Sequence, residues 1–456
     1  MKSNKSNESN IVVWDAMMGQ GKTTKVIQYM LQEHRVLKID SGKFLYVSPY
    51  LSEAHRIAGT SCKEDDVNQL PILNENGAYV YDSELPQSVM QFKHPSNRNS
   101  SGSKLQGLCD LLSAKENVVS THNLISVIKP EQLEDLQDYT LVIDEALDVF
   151  NEETDITQKT FKHFLDINIL SIDEDGHTVR FNRENYGKSE DGKDTTKGGD
   201  YEGFAIACDR GLVYKVGSKV VRKFDVTILS KFKRVIIMTY MFKGSMFDLL
   251  LQKEGLSYDI EYFGATPETI KHLINLNMNE KDNAVGDYPI INGVKDYRKH
   301  KLTATDYKRN KDILNKTMFN RLNNMWQQRQ KVSPEARLWT CYTPNKMGIS
   351  KGTAQRPKYS NQWLAFNTKA TNDYVTKTDL AFLVNVFIDG NYISACSKDG
   401  LRMSQDHYAL STLVQWVFRS AIREGKPINL YIPSERMRNL FIGWLNGEVI
   451  TYEESK

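Results

Sequence analysis

The stretch IVVWDAMMGQGKTTKVIQYM, residues 11–30, changes character twice within one short span. Ile11-Val12-Val13-Trp14 reads as a short buried strand. Gly19 and Gly21 interrupt it, Lys22-Thr23-Thr24 follow, and Val26, Ile27 and Met30 then recur three and four apart, as one face of a helix does. Strand, glycine turn and helix together form the context of a phosphate-binding loop. Glycines let backbone N–H groups close around phosphate oxygens, the helix N-terminus adds its positive end, and a lysine reaches the outer phosphates. The hydroxyl of Thr23 is placed to ligate Mg2+. Ala16, Met17, Met18, Gly19, Gln20, Gly21, Lys22, Thr23 and Thr24 are thus the candidate nucleotide-binding residues. The string is A-x-x-G-x-G-K-T, with Ala16 where such loops usually begin with glycine.

At 456 residues the chain is too long for one ordinary core, and two or three domains are expected. Hydrophobic residues make up 40% and charged residues 25%, the balance of a globular chain. The net charge of +2 excludes a polycation, so any nucleic-acid contact must come from local basic surface. Cys62, Cys109, Cys208, Cys341 and Cys396 are scattered without a C-x-x-C pair, which argues against a zinc site or disulfide framework and fits a reducing compartment. The N-terminal MKSNKSNESN lacks the apolar core of a signal peptide, and no run approaches eighteen apolar residues. A cytoplasmic protein with no membrane partner is expected.

Further apolar runs punctuate the first half. KFLYVSPY (43–50) reads as a strand followed by a short helix through about Ala58. ENVVSTHNLI (116–125) gives a strand ending at Ser120-Thr121-His122, and YTLVIDEALDVF (139–150) and KRVIIMTYMF (233–242) give two more. Residues of about 170–225, acidic and glycine-rich in the middle and alternating at the flanks, read as an inserted β-hairpin region with a mobile tip. Strands alternating with helices indicate an α/β fold with parallel sheets. Beyond residue 252 the sequence is polar and mostly helical to about 330. A second α/β unit follows, with strands at 336–344, 361–368 and 428–432 and helices at 408–424 and 433–446. The division is therefore 1–252 and 253–456.

In LVIDEALD, Asp144 and Glu145 directly follow a buried strand, and ligands of open parallel sheets collect at the carboxyl ends of strands. Asp144 there can hold the magnesium, and Glu145 can polarise the water attacking a γ-phosphate.

The loop together with D-E-A-x resembles motifs I and II of superfamily 2 helicases. VSPYLSEA (47–54) resembles motif Ia, and VVSTHNL (118–124) the later nucleic-acid contact segment of the same domain. IMTYMF (237–242), LWTCYT (338–343) and FNTKATNDY (366–374) occupy the places of motifs III, IV and V, and QWVFRSAIR (415–423) resembles motif VI. The combination looks most like helicases of bacteriophages of Gram-positive hosts and is similar to viral origin-binding helicases. Three features depart from the family pattern. Leu147 ends the D-E-A-x string, Arg419 and Arg423 are four apart where three is commoner, and no adenine-reading glutamine segment precedes the loop.

The resemblance implies two RecA-like domains with the ATP cleft between them, and an ATP- and Mg2+-dependent DNA helicase or translocase of phage replication or recombination. Its partners would be single-stranded or forked DNA and other replication proteins, in the host cytoplasm if phage-encoded. An RNA helicase or a nucleotide switch without translocation are the alternatives. By motif position it also implies nucleic-acid contacts at Pro49, Tyr50, Thr121, His122, Asn367 and Thr371. His122 and Tyr50 can equally be local structural residues.

Helical spacing places Gln415, Arg419 and Arg423 on one face. They form either a solvated basic stripe or, as motif VI implies, an arginine finger, with Arg419 in the usual place relative to Gln415. NKMGISKGTAQRPKYSNQ (345–362) carries Lys346, Lys351, Arg356 and Lys358 with almost no acid, near Tyr359 and Trp363, and Lys369 follows close by. It suits either a phosphate-tracking groove on single strands or a solvated loop.

Overall fold

Five apolar runs and one polar edge segment form the main sheet of the first unit. In the computed structural model, which describes residues 9–36, 42–58, 68–69, 72–73, 79–80, 91–97, 102–128, 136–186, 201–285, 290–291, 294–295, 301–352, 356–368 and 373–448, they are β1 (Ile11–Asp15), β2 (Lys43–Ser48), β3 (Val118–Thr121), β4 (Tyr139–Asp144), β5 (Arg234–Thr239) and β6 (Asp259–Tyr262). Every neighbouring pair is parallel, in the order β6-β1-β5-β4-β2-β3. Side chains on both faces of β1, β2, β4 and β5 are almost all buried, as a parallel strand covered by helices requires.

Helices fill the crossovers. α1 (Lys22–Val36) buries Val26, Ile27 and Met30 completely, each worth about 1.5–3 kcal/mol of apolar transfer. α2 (Leu51–Ala58) follows β2. α3 (Lys104–Ser113) precedes β3 and is capped by the Ser103 hydroxyl. α4 (Met246–Lys253) follows β5 under a Ser245 cap. The α/β class with parallel sheets is thus as the sequence indicated.

The insertion is larger than the hairpin expected over 170–225. It begins with the strand Phe150–Glu152 and contains two antiparallel hairpins, Leu170–Ile172 with Val179–Phe181 and Val213–Val216 with Lys219–Lys223. Two helices, Gln158–Asp166 and Glu202–Asp209, pack on them around Phe161, Phe164, Val179, Phe204 and Val213. A three-strand edge needs this cover to bury its apolar face. Residues 187–200, within that stretch, lie outside the described residues.

The second unit has four parallel strands, β7 (Ile274–Leu276), β8 (Arg337–Thr340), β9 (Asp379–Phe382) and β10 (Ile428–Tyr431), in the order β7-β10-β9-β8. Its helices include α5 (Lys311–Asn323), α6 (Gln405–Val417) and α7 (Glu435–Leu445). Three expectations are corrected here. Residues 361–368 are not a strand: they meet the outer edge of β8 at a Trp339–Trp363 bridge and a bond from the Leu364 N–H to the Trp339 carbonyl (3.0 Å), while β9, buried along its whole length, forms the ladder on the other side of β8. The polar region after 252 also contributes two sheet strands, β6 and β7, and is less helical than its polarity suggests. The helix expected over 408–424 stops at Val417, and a short 3-10 turn, Ala421–Glu424, follows. Ser420 is extended, and the Ala421 N–H donates to the Lys377 carbonyl (2.9 Å), a long-range bond that replaces the helical one.

The first unit comprises Met1–Asp15, Lys22–Tyr262 and Asp389–Met403, and the second Ala16–Gly21, Phe263–Ile388 and Ser404–Lys456. A single cut at residue 252 separates β6 and the helix Gly390–Lys398 from the first unit, to which both belong. That helix leads to Asp399, a buried carboxylate reached by the Tyr214 hydroxyl (3.0 Å) and the ammonium groups of Lys223 (3.3 Å) and Lys253 (2.6 Å). Among the described residues no helix is long and apolar enough to cross a membrane. Cys109, Cys208, Cys341 and Cys396 are buried and unbridged, and Cys62 lies outside the described residues.

Candidate phosphate-binding site

β1 delivers the chain to its carboxyl end at Asp15, and α1 starts at Lys22. In the intervening loop Gly19 (φ 80°) and Gly21 (φ 79°) are left-handed, a conformation that costs other L-residues about 1–2 kcal/mol. The Gln20 N–H donates to the Met17 carbonyl (3.3 Å) and closes the turn. Ala16 and Met17 are buried, which explains an alanine at the first position: the residue packs inward instead of bending the loop. Gly19 and Gly21 are exposed, and Met18, Lys22, Thr23 and Thr24 half-buried. No acidic residue occupies the first turn of α1. The Gln20 carboxamide oxygen accepts the Ala265 N–H at 3.0 Å.

The acid pair lies on the same edge of the same sheet. Asp15 pairs with Thr239 on β5, and Met238 with Asp144 on β4, so the ends of β1, β5 and β4 are level. The Tyr46 hydroxyl donates to Asp144 Oδ2 (2.8 Å). His122 Nε2 donates to the Asp144 carbonyl (2.9 Å). Glu145 has φ 65° and donates its N–H to the Met238 carbonyl (2.8 Å). A non-glycine residue held left-handed after a strand stores strain of the kind found at functional sites.

The nucleic-acid candidates of the first unit share this edge but differ in access. Pro49 is half-buried and Tyr50 is 40% exposed just past β2, with the Ser48 hydroxyl donating to the Tyr50 carbonyl (2.8 Å). Thr121, the last residue of β3, is half-buried. His122 requires correction. It is only 7% exposed, and its ring supports the backbone of Asp144 instead of facing solvent.

In the second unit, the ending of α6 at Val417 removes Arg419 and Arg423 from the helical stripe they were expected to share with Gln415. Gln415 is half-buried and donates to the Ser411 hydroxyl (3.3 Å). Arg419 is only 5% exposed, whereas Arg423 is half-buried. A Cβ built on Gly19 would stand 3.0 Å from the Arg423 carbonyl oxygen and 3.1 Å from its Cγ. Arg423 thus lies against the glycine loop through its backbone carbonyl and Cγ.

Lys351, Arg356 and Lys358 are exposed, as is Asn367. Lys358 reaches Asn323 Oδ1 (2.7 Å), and Lys346 lies 4.4 Å from the Trp363 ring centre. Tyr359 is fully buried among Phe319 and Trp326 and offers no stacking face, which corrects its expected place beside a nucleic-acid groove. Thr371 and Lys369 lie outside the described residues.

Asp15 and Tyr46 escaped sequence reasoning. Asp15 is 5% exposed; burial raises its pKa from the ordinary carboxylate value, opposed by the N–H groups of Phe242 and Met241 and the charge of Lys22. A carboxylate closing an apolar run directly before a glycine loop is a signal that could have found it. Tyr46, inside another apolar run, carried none. Among the described residues no group of three or more His, Cys, Asp or Glu side chains could hold a metal by itself. The donor set of Thr23 and Asp144 suits Mg2+ shared with phosphate oxygens and water, the usual manner for that ion.

Residues 268–445 match the family model of the YonV C-terminal Rossmann-like domain, the stretch that contains all four strands of the second sheet. Over 463 residues the chain is 26% identical to the SPbeta prophage-derived uncharacterized protein YonV of Bacillus subtilis (strain 168), covering 96% of this chain and 99% of that one.

Proposed function

We propose that the chain is an ATP-dependent DNA translocase or helicase of the superfamily 2 type, acting in phage DNA replication or recombination. The observation that carries this reading is the levelling of three strand ends on one sheet edge, with the glycine loop leaving β1 and Asp144-Glu145 leaving β4. Loop N–H groups and Lys22 would hold the β- and γ-phosphates. Thr23 and Asp144 would hold Mg2+, which supplies charge neutralisation at the phosphates. Glu145 would orient the attacking water, and Arg423, against Gly19, would stabilise charge developing in the transition state. Pro49, Tyr50 and Thr121 on the same edge, and Lys351, Arg356, Lys358 and Asn367 in the second unit, supply backbone contacts to a nucleic acid strand. The prophage origin of the relative supports the phage setting.

The test is ATP hydrolysis by the full chain with single-stranded DNA, with RNA and with neither. The reading expects stimulation by DNA and its loss in Lys22→Ala with the melting temperature unchanged. Stimulation by RNA alone moves the substrate class. Hydrolysis that no nucleic acid stimulates favours a nucleotide switch, and normal hydrolysis by Lys22→Ala removes the phosphate-loop assignment.

A further inference from the structure

Asp15 does more than end a strand. Each of its carboxylate oxygens accepts a backbone N–H from the turn after β5: Oδ1 from Met241 (3.0 Å) and Oδ2 from Phe242 (2.9 Å). Met241 is itself left-handed, with φ 57°. A non-glycine residue holds that conformation only where its surroundings impose it. Three residues earlier the same segment is gripped from the other side, where the Met238 carbonyl accepts the Glu145 N–H at 2.8 Å. β5 lies between β1 and β4 in the sheet, so residues 238–242 are bonded both to the residue before the glycine loop and to the acid pair. Phe242 is fully buried, so withdrawing Asp15 would leave an orphaned N–H in the core. The charged group facing Asp15 from the loop side is Lys22, at the start of α1.

We propose that Asp15 is a positioning residue: it ties the turn Met241–Phe242 to the root of the glycine loop, so that a nucleotide-driven shift of the loop reaches Glu145 through Met238. The proposal rests on the phosphate-loop reading above. Asp15 touches no reacting atom in this account. Its effect is the alignment of Glu145, and misalignment of a catalytic group by about 1 Å costs on the order of 10²-fold in rate.

The experiment uses the full chain and Asp15→Asn, which preserves shape but presents an NH2 group to one of the two N–H donors. Asp15→Ala is the second variant. Melting temperature, ATP affinity, turnover, and amide exchange of Met241 and Phe242 with and without ATP are measured for each. The expected result is a turnover lowered roughly 10²-fold, ATP affinity within about three-fold of the wild type, and an ATP-dependent change in exchange at both amides in the wild type that disappears in Asp15→Asn. Full turnover in folded Asp15→Asn, or a parallel loss of affinity, turnover and melting temperature in both variants, overturns the proposal. A wild-type chain that neither binds nor hydrolyses ATP overturns the phosphate-loop reading itself, which separates the two failures.

Discussion

Arg423 fills the space that a side chain on Gly19 would need: a methyl group there would lie 3.0 Å from the arginine's carbonyl oxygen and 3.1 Å from its Cγ. Gly21 has nearly the same φ, yet nothing lies within 4 Å of its would-be Cβ. The two glycines therefore separate conformational strain from steric obstruction. Gly21→Ala is expected to weaken ATP binding by the strain alone, about 1–2 kcal/mol. Gly19→Ala adds the clash and should weaken it further. Titration with a fluorescent ATP analogue reads both, and equal losses would show that the Arg423 contact is immaterial to binding.

Arg419 and Arg423 are expected to fail differently. Arg419 is buried, so Arg419→Ala should lower the melting temperature, with a cost of about 1–3 kcal/mol. Arg423→Ala should leave stability and ATP affinity nearly unchanged and lower stimulated turnover, by on the order of 10³-fold or more if it acts as an arginine finger. Calorimetry with steady-state kinetics distinguishes them. Reversed phenotypes would return the finger role to Arg419.

The exposed trio Lys351, Arg356 and Lys358 predicts salt-sensitive binding. Log affinity for single-stranded DNA should fall with log salt at about −0.7 per phosphate contact, and replacing all three by Gln should flatten the slope by up to about 2. An unchanged slope leaves these residues as solvated surface.

In the insertion, Asp175 supplies a pH test. Burial acts to raise its pKa, but the Thr178 hydroxyl (2.5 Å), the N–H groups of Thr178 and His177 (2.8 Å each) and the His177 ring outweigh it and bring it to about 2. A carboxyl group more acidic folded than unfolded contributes stability that is complete above the unfolded value, near 3.9, and is lost as pH falls through the folded one. Asp175→Ala should thus be less stable than the wild type near neutrality, and the gap should close between about pH 4 and pH 2. With 39% of its side chain exposed, the gap should stay below about 1 kcal/mol. Denaturant midpoints across that range check it, and a constant gap would assign the effect to the loop backbone.

Much of the first unit was readable from residues 11–30, 43–50, 116–125, 139–150 and 233–242, because short buried strands and a glycine turn leave local signals. The second unit was harder. Trp363 and its neighbours look like a strand but lie outside the ladder, while Asp379–Phe382, in a longer mixed run, holds it. Apolar composition permits both, and only the tertiary pairing along Arg337–Thr340 separates them.

The sequence alone determined the loop at Ala16–Thr24, the α/β class and the placement of Asp144-Glu145 after a buried strand, since periodicity and glycine chemistry act within a few residues. The tertiary structure decided which side chains meet there. Tyr46 and His122 hold Asp144 from β2 and from just beyond β3, Asp15 grips the turn after β5, and the Ala421–Lys377 bond ends α6 before the arginines. Those bonds join residues tens to hundreds of positions apart, and strand order, which no local pattern carries, is what brings them within reach.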